Sequence, residues 1–78
     1  MGNNNLEKWV IIYNLEGPKI LKIFGDENLI ITQEQALIYR DNVESQHGRI
    51  IRISLEKNIG KSNETRYELH NYGWEKLY

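Results

Sequence analysis

The chain lacks cysteine altogether and contains a single proline, a single alanine and a single methionine among its 78 residues. The absence of cysteine excludes disulfides and thiolate metal sites, and it is compatible with a reducing compartment. Two histidines, His47 and His70, are too few for an all-histidine metal cage. A domain of this size buries only about 60% of the surface of its unfolded chain. We therefore expect a well-packed core or oligomerisation to supply the stability that cross-links do not.

The chain also lacks a long apolar run and an excess of either charge. No apolar segment approaches the roughly 20 residues of a membrane-spanning helix. The N-terminus has neither the basic nor the apolar region of a signal peptide, which predicts a cytoplasmic location. Ten basic and eleven acidic residues give a net charge of −1. This balance argues against strong non-specific binding to nucleic acids and against polybasic attachment to a membrane.

The residues that are abundant point to an origin. Isoleucine, asparagine, glutamate and lysine, which have AT-rich codons, occur 11, 9, 9 and 6 times. This bias favours an AT-rich bacterial genome, or one of its phages or plasmids. The overall profile is similar to that of small accessory proteins of phages and mobile elements.

The first third of the chain predicts a β-hairpin. Residues 1–5 are polar and predicted to be disordered, and residues 6–78 are predicted to form one domain. Segments 6–15 and 19–24 are predicted to be strands, separated by a turn at Gly17 and Pro18. From residue 9 onwards, one face of the first strand is apolar. Its residues are Trp9, Ile11, Tyr13 and Leu15.

The middle of the chain predicts a helix over residues 33–46. Thr32 can cap the first backbone N–H groups, and Gln35 can complete a capping box. Gly48 is suited to the conformation that follows a helix end. The alternative interpretation, a strand over residues 35–41, stays open at this point.

The last third predicts a second hairpin, with strands over 49–57 and 65–72 joined by the loop 58–63. Gly73 is expected to break or bulge the last strand. The complete prediction is an α+β fold in ββαββ order, with a single antiparallel sheet packed on one helix. The side chains predicted to face the core are Ile51, Ile53, Leu55, Tyr67 and Leu69, and those predicted to face away include Arg52, Arg66, Glu68 and His70.

No motif predicts catalysis, a metal or a cofactor. Gly60-Lys61-Ser62 resembles the end of a phosphate-binding loop, but the earlier glycine of that motif is replaced by Leu55. Asp41, Glu44 and His47 are spaced by three on the predicted helix, and a solvated helix side explains them better than a metal site does. No serine lies in a nucleophile elbow. We therefore predict a protein that is not an enzyme.

The outward-facing arginines are the first candidate for binding. Arg52 and Arg66 lie on strands that are predicted to pair, and their planar guanidinium groups suit phosphates or carboxylates. The alternative is a cross-strand ladder in which Glu56, Glu64 and Glu68 neutralise them.

The aromatic C-terminal segment is the second candidate. The last twelve residues hold four of the eight aromatic side chains. Tyr72, Trp74 and Tyr78 can complete the core, pack against another copy of the chain, or anchor a different protein. Tryptophan, tyrosine and arginine are over-represented among interface hot spots.

Together these features predict a non-catalytic binding protein, most simply a phage-type inhibitor of a bacterial host or defence protein. Its binding residues would be Tyr72, Trp74, Tyr78, Arg52 and Arg66. The first alternative is a module for a nucleotide-type ligand, formed by a homo-oligomer. The second alternative is a structural subunit that assembles with itself.

Overall fold

The fold is a five-stranded antiparallel sheet with one helix on it. The computed structural model describes residues 7–78, so the predicted disordered segment 1–5 lies outside the described residues. The predicted α+β class, with an antiparallel sheet packed on a helix, is confirmed. The strand order across the sheet is β2-β1-β3-β4-β5. In chain order the elements are β1 (Val10–Leu15), β2 (Lys19–Phe24), α1 (Leu29–His47), β3 (Ile50–Lys57), β4 (Thr65–His70) and β5 (Gly73–Lys76).

The fifth strand is an addition to the predicted order. β4 ends at His70, two residues before the predicted end, and Asn71 and Tyr72 form a tight turn. Gly73 lies opposite His70 with a φ of 119°, a conformation that favours glycine. The chain then continues as β5 for only four residues. A strand this short carries too few alternations to be predicted from its pattern.

The helix begins earlier than predicted because Asn28, and not Thr32, is its N-cap. The Asn28 side chain accepts a hydrogen bond from the Ile31 backbone N–H at 3.0 Å. Thr32 lies buried in the first turns, where its Oγ1 accepts from the Asp26 N–H at 2.9 Å and lies 2.8 Å from the Asn28 carbonyl oxygen. The prediction of a Thr32 cap is therefore wrong. The predicted end at Gly48 is confirmed, with its N–H donating to the Glu44 carbonyl.

The core lies between α1 and one face of the sheet. The predicted apolar face of β1 is confirmed, and Tyr13 on it is completely buried. The Tyr13 hydroxyl donates a hydrogen bond of 2.6 Å to the Ala36 carbonyl of α1, which joins β1 directly to the helix. The buried apolar cluster consists of Trp9, Ile11, Tyr13, Leu15, Ala36, Val43, Ile53 and Leu55.

Of the predicted core residues on β3 and β4, Ile53 and Leu55 belong to this cluster, Tyr67 and Leu69 pack against it, and Ile51 does neither. The pairing between β1 and β3 shifts register at Asn14 and Leu15, so Leu15 lies opposite Ile50. Ile50 packs against the core instead, and Ile51 is 62% exposed. The prediction for Ile51 is wrong because a register shift reverses the faces of the residues beyond it.

The helix covers only the middle of the sheet. Its backbone approaches β1 and β3 and no other strand within residues 7–78. Five strands span about 19 Å at the usual spacing, whereas a helix with its side chains is about 10 Å wide. A groove therefore runs along each side of α1, one towards β2 and one towards β4. Within the described residues, α1 is not apolar enough to cross a membrane.

The buried Tyr13 predicts a loss of stability at alkaline pH. Burial raises the pKa of Tyr13 from 10.0 to about 12. Between these values the unfolded chain releases the phenolic proton while the folded chain keeps it. The free energy of unfolding therefore falls by about 2 kcal/mol from pH 10 to pH 12 on account of this group. Urea denaturation of the wild type and of Tyr13→Phe across this range measures the difference. Identical pH profiles would contradict the prediction.

Candidate functional site

The face of the sheet opposite α1, here called the open face, has two chemically different halves. Over β3, β4 and β5 it carries charged and polar side chains that contact one another. Over β2 and β1 it carries mainly apolar side chains. The residues of the charged half form the arginine network, which is defined as Arg52, Ser54, Glu56, Arg66, Glu68, His70, Tyr72 and Glu75.

Arg66 is the centre of the arginine network. One of its guanidinium nitrogens forms an ion pair with Glu56, and the other donates to Ser54 Oγ at 3.2 Å. The side chains of Arg66 and Glu56 are only 19% and 11% exposed. Ser54 is completely buried. Because these groups are shielded from water, each depends on its partners to satisfy its charge or hydrogen bonds.

Arg52 is held more loosely at the edge of the same network. Its Nε lies 3.1 Å from a Glu68 carboxylate oxygen, and its side chain is 53% exposed. Glu68 also lies 4.0 Å from Arg66. The structure thus brings together the two arginines that the sequence predicts to be neighbours.

The carboxylates beside the arginines match part of the predicted ladder. Glu56 and Glu68 pair with Arg66 and Arg52. Glu64 does not take part in it, since its carboxylate accepts a hydrogen bond from the Gly60 N–H at 3.1 Å. The arginines therefore face carboxylates of this chain, which leaves them poorly placed to bind an external phosphate.

His70 and Tyr72 close the network on the β5 side. His70 Nε2 lies 3.3 Å from Glu68 and 3.1 Å from Glu75, buried between the two carboxylates without a well-directed hydrogen bond. The rings of His70 and Tyr72 stack with their centroids 5.2 Å apart. Tyr72 donates a 2.9 Å hydrogen bond to Glu75, and this bond is the main reason that the pKa of Tyr72 is raised.

The other two predicted anchors lie apart from these residues. Trp74 is half-buried opposite Leu69 and packs against the core cluster, on the helix side of the sheet. Tyr78 is 56% exposed, and its carbonyl accepts a hydrogen bond from the Arg66 N–H at 2.8 Å. The structure therefore groups Tyr72 with Arg52 and Arg66, and it does not group Trp74 with them.

The structure also describes the two motifs that the sequence disfavours as a metal site and as a phosphate-binding loop. The Glu44 carboxylate accepts a hydrogen bond from the Ile50 N–H at 3.0 Å. This bond stabilises the connection between α1 and β3. Across residues 7–78, no three acidic or histidine side chains are grouped as a metal site. Gly60-Lys61-Ser62 lies in the loop before β4, and a phosphate-binding loop would lead into a helix instead.

The edge strand β2 carries exposed apolar side chains that are not among the binding residues predicted from the sequence. Phe24 and Ile20 are 76% and 60% exposed on the open face, with Lys22 between them. β2 pairs only with β1 within the described part of the chain, so its other edge is unpaired. No ion pair among residues 7–78 involves Lys19 or Lys22.

Depressions lie on both sides of β2. On the helix side, a groove of about 340 Å³ separates β2 from α1, with Leu21, Ile23 and Tyr39 among its lining residues. On the other side, a smaller depression of about 230 Å³ is lined by Val10, Lys22, Ile23, Phe24 and Ile59. We call β2 with these two depressions the β2 edge surface.

One signal in the sequence points to β2. Its residues at both odd and even positions are apolar, namely Ile20, Leu21, Ile23 and Phe24, whereas a strand with one solvated face alternates. That pattern is typical of a strand buried on both faces. In this fold only the face with Leu21 and Ile23 packs against the core, and the face with Ile20 and Phe24 is exposed.

Comparison with known protein families, with characterised proteins and with solved structures finds no match to this chain.

The arginine network predicts unequal effects for its two arginines. Arg66→Met leaves the shielded Glu56 carboxylate without its partner, and we expect a loss of about 3 kcal/mol in the free energy of unfolding. Arg52→Met removes a largely exposed pair and is expected to cost less than about 1 kcal/mol. Urea denaturation at neutral pH measures both. Equal losses would show that shielding from water does not govern this network.

Proposed function

We propose that this chain is a non-catalytic protein that acts by binding another protein through the β2 edge surface. We also propose the partner class that the sequence predicts, which is a bacterial host or defence protein in the cytoplasm. Binding would inhibit that protein. The observation that carries it is an unpaired edge strand with two large apolar side chains, Ile20 and Phe24, exposed beside it.

Physical chemistry supports an interface at this place. An exposed apolar edge strand invites association, and proteins usually protect such an edge with short strands, charged side chains, bulges, prolines or a covering element. β2 has an unbroken register with β1 over all six of its residues. Burying an exposed side chain such as phenylalanine or isoleucine against a partner contributes about 1.5–3 kcal/mol. Two such anchors can therefore supply a large share of the binding energy.

The arginine network supports a smaller role in binding. Its arginines are already paired with carboxylates, and a partner would have to replace contacts that the chain makes by itself. The exception is Tyr72, whose side chain is 77% exposed. The predicted role of Tyr72 as an anchor is therefore a separate hypothesis, which the capture experiment described below also tests.

The nucleotide-type ligand is the second candidate function. The groove between α1 and β4, about 640 Å³ in volume, is large enough and includes Arg40 and Arg52. It also includes Asp41 and Glu44, which would repel a phosphate. A thermal-shift screen with nucleotides tests this candidate, since a ligand that binds the folded chain raises its melting temperature.

The proposed function predicts that Phe24 matters for partner capture and Tyr72 does not. The two aromatic side chains are almost equally exposed, at 76% and 77%, and they lie at opposite ends of the sheet. Phe24→Thr and Tyr72→Thr are therefore a matched pair of baits for capture from bacterial lysate. We expect Phe24→Thr to lose proteins that the wild type retains, as quantified by mass spectrometry.

The folding of both baits is checked by urea denaturation. If capture survives Phe24→Thr and is lost with Tyr72→Thr, the binding surface is the aromatic and arginine side of the sheet, as the sequence predicted. If neither substitution changes capture, neither aromatic residue anchors a partner.

A further inference from the structure

We propose that the partner contributes an extended segment that pairs with β2 as a sixth strand, with an acidic side chain beside Lys22 and apolar side chains beside Ile20 and Phe24. The proposal rests on the proposed function, because it specifies what binds at the β2 edge surface. Addition of a strand to an open sheet edge is a recurring mode of peptide recognition.

The backbone of β2 is suited to accept a strand. In a strand, alternate residues direct their N–H and C=O groups to opposite edges, so part of the β2 backbone points away from β1. β2 contains no proline, glycine or bulge over Lys19–Phe24. The opposite edge of the sheet differs, since β5 has only four residues and carries Glu75 and Lys76. β2 also carries charges, at Lys19 and Lys22, but it is longer than β5 and exposes Ile20 and Phe24. We therefore call β2 the open edge of the sheet and β5 its protected edge.

The surroundings of β2 provide space for the side chains of an added strand. Successive side chains of a strand point to opposite faces, so half of them would enter the groove between β2 and α1. That groove has the apolar Leu21 and Ile23 on its β2 wall. Its α1 wall consists of Tyr39, Asn42, Val43, Gln46 and His47. The remaining side chains would lie over the open face, next to the depression beside Phe24 and Ile59. Both rows of side chains thus meet apolar surface.

The charges favour a partner with an acidic residue. Lys19 and Lys22 have no acidic partner among the described residues. A carboxylate on the added strand can lie directly opposite Lys22, where opposite charges across a strand pair attract. The matching segment therefore has the pattern apolar–any–acidic–any–apolar.

A second copy of this chain fits the same edge less well. A two-fold axis perpendicular to the sheet pairs β2 with itself in an antiparallel manner. Centred on Lys22, the pairing places the two Lys22 side chains directly opposite each other. Centred on Leu21, it makes them diagonal neighbours, about 7–8 Å apart. Both registers bring like charges together on one face, so we assign the edge to a segment of a different protein.

The experiment uses the full chain and a displayed library of random peptides, each about ten residues long to cover a strand and its flanks. We expect the enriched peptides to share an acidic residue between two apolar residues. A synthetic copy of an enriched peptide is expected to slow amide hydrogen exchange in β2, since its backbone covers those groups.

A charge exchange makes the test specific for Lys22. Lys22→Glu is expected to weaken the acidic peptide about tenfold, because repulsion replaces attraction. A peptide with lysine in place of the acid is expected to regain the affinity for this variant. Lys76→Glu on the protected edge is the matched control and is expected to change neither affinity.

Three results would overturn the proposal. The library yields no enriched peptide, or the enriched peptides bind without slowing exchange in β2, or the chain sediments as a dimer that Phe24→Thr dissociates. The last result would make a second copy the occupant of this edge.

The two proposals fail in different ways. If lysate capture depends on Phe24 while no strand peptide protects β2, the β2 edge surface binds a folded surface and the proposed function stands. If capture does not depend on Phe24, the proposed function itself is wrong.

Discussion

One helix has to cover a sheet of five strands, and the other features of this molecule depend on that mismatch. The hydrogen bond from Tyr13 to the Ala36 carbonyl joins α1 to the inner strand β1, and the helix packs over β1 and β3. Because a helix is only about half as wide as such a sheet, the outer strands stay partly uncovered. The groove beside β2 is a direct result of this arrangement.

No helix covers the open face within the described residues, and its two halves differ in their side chains. Over β3, β4 and β5, arginines and carboxylates neutralise one another, and Arg66 shields Ser54 and Glu56 from water. Over β2, the apolar side chains of Ile20 and Phe24 stay exposed without such a network. The first half is complete within the chain. The second half leaves Ile20 and Phe24 exposed, and this exposure is the reason that we propose a binding function there.

Several parts of the fold could be predicted because they depend on local patterns. The strand over residues 19–24, the apolar face of β1 and the helix end at Gly48 follow from alternation and turn chemistry. The helix start could not be predicted from its pattern, since the apolar run Leu29–Ile31 resembles a strand end. The exposure of Ile51 also escaped prediction, because a register shift belongs to a pair of strands and not to one segment.

The candidate site also has features that follow from local sequence and features that depend on the tertiary structure. The sequence by itself determined that Arg52 and Arg66 lie on paired strands facing away from the core, and that no disulfide supports the fold. Only the tertiary structure decided that these arginines pair with Glu68 and Glu56, and that β2 lies at the edge of the sheet. The physical reason is that strand order depends on which segments meet across the sheet. The apolar residues at both odd and even positions of β2 give the strand two apolar faces. Its position at the edge of the sheet leaves Ile20 and Phe24 exposed.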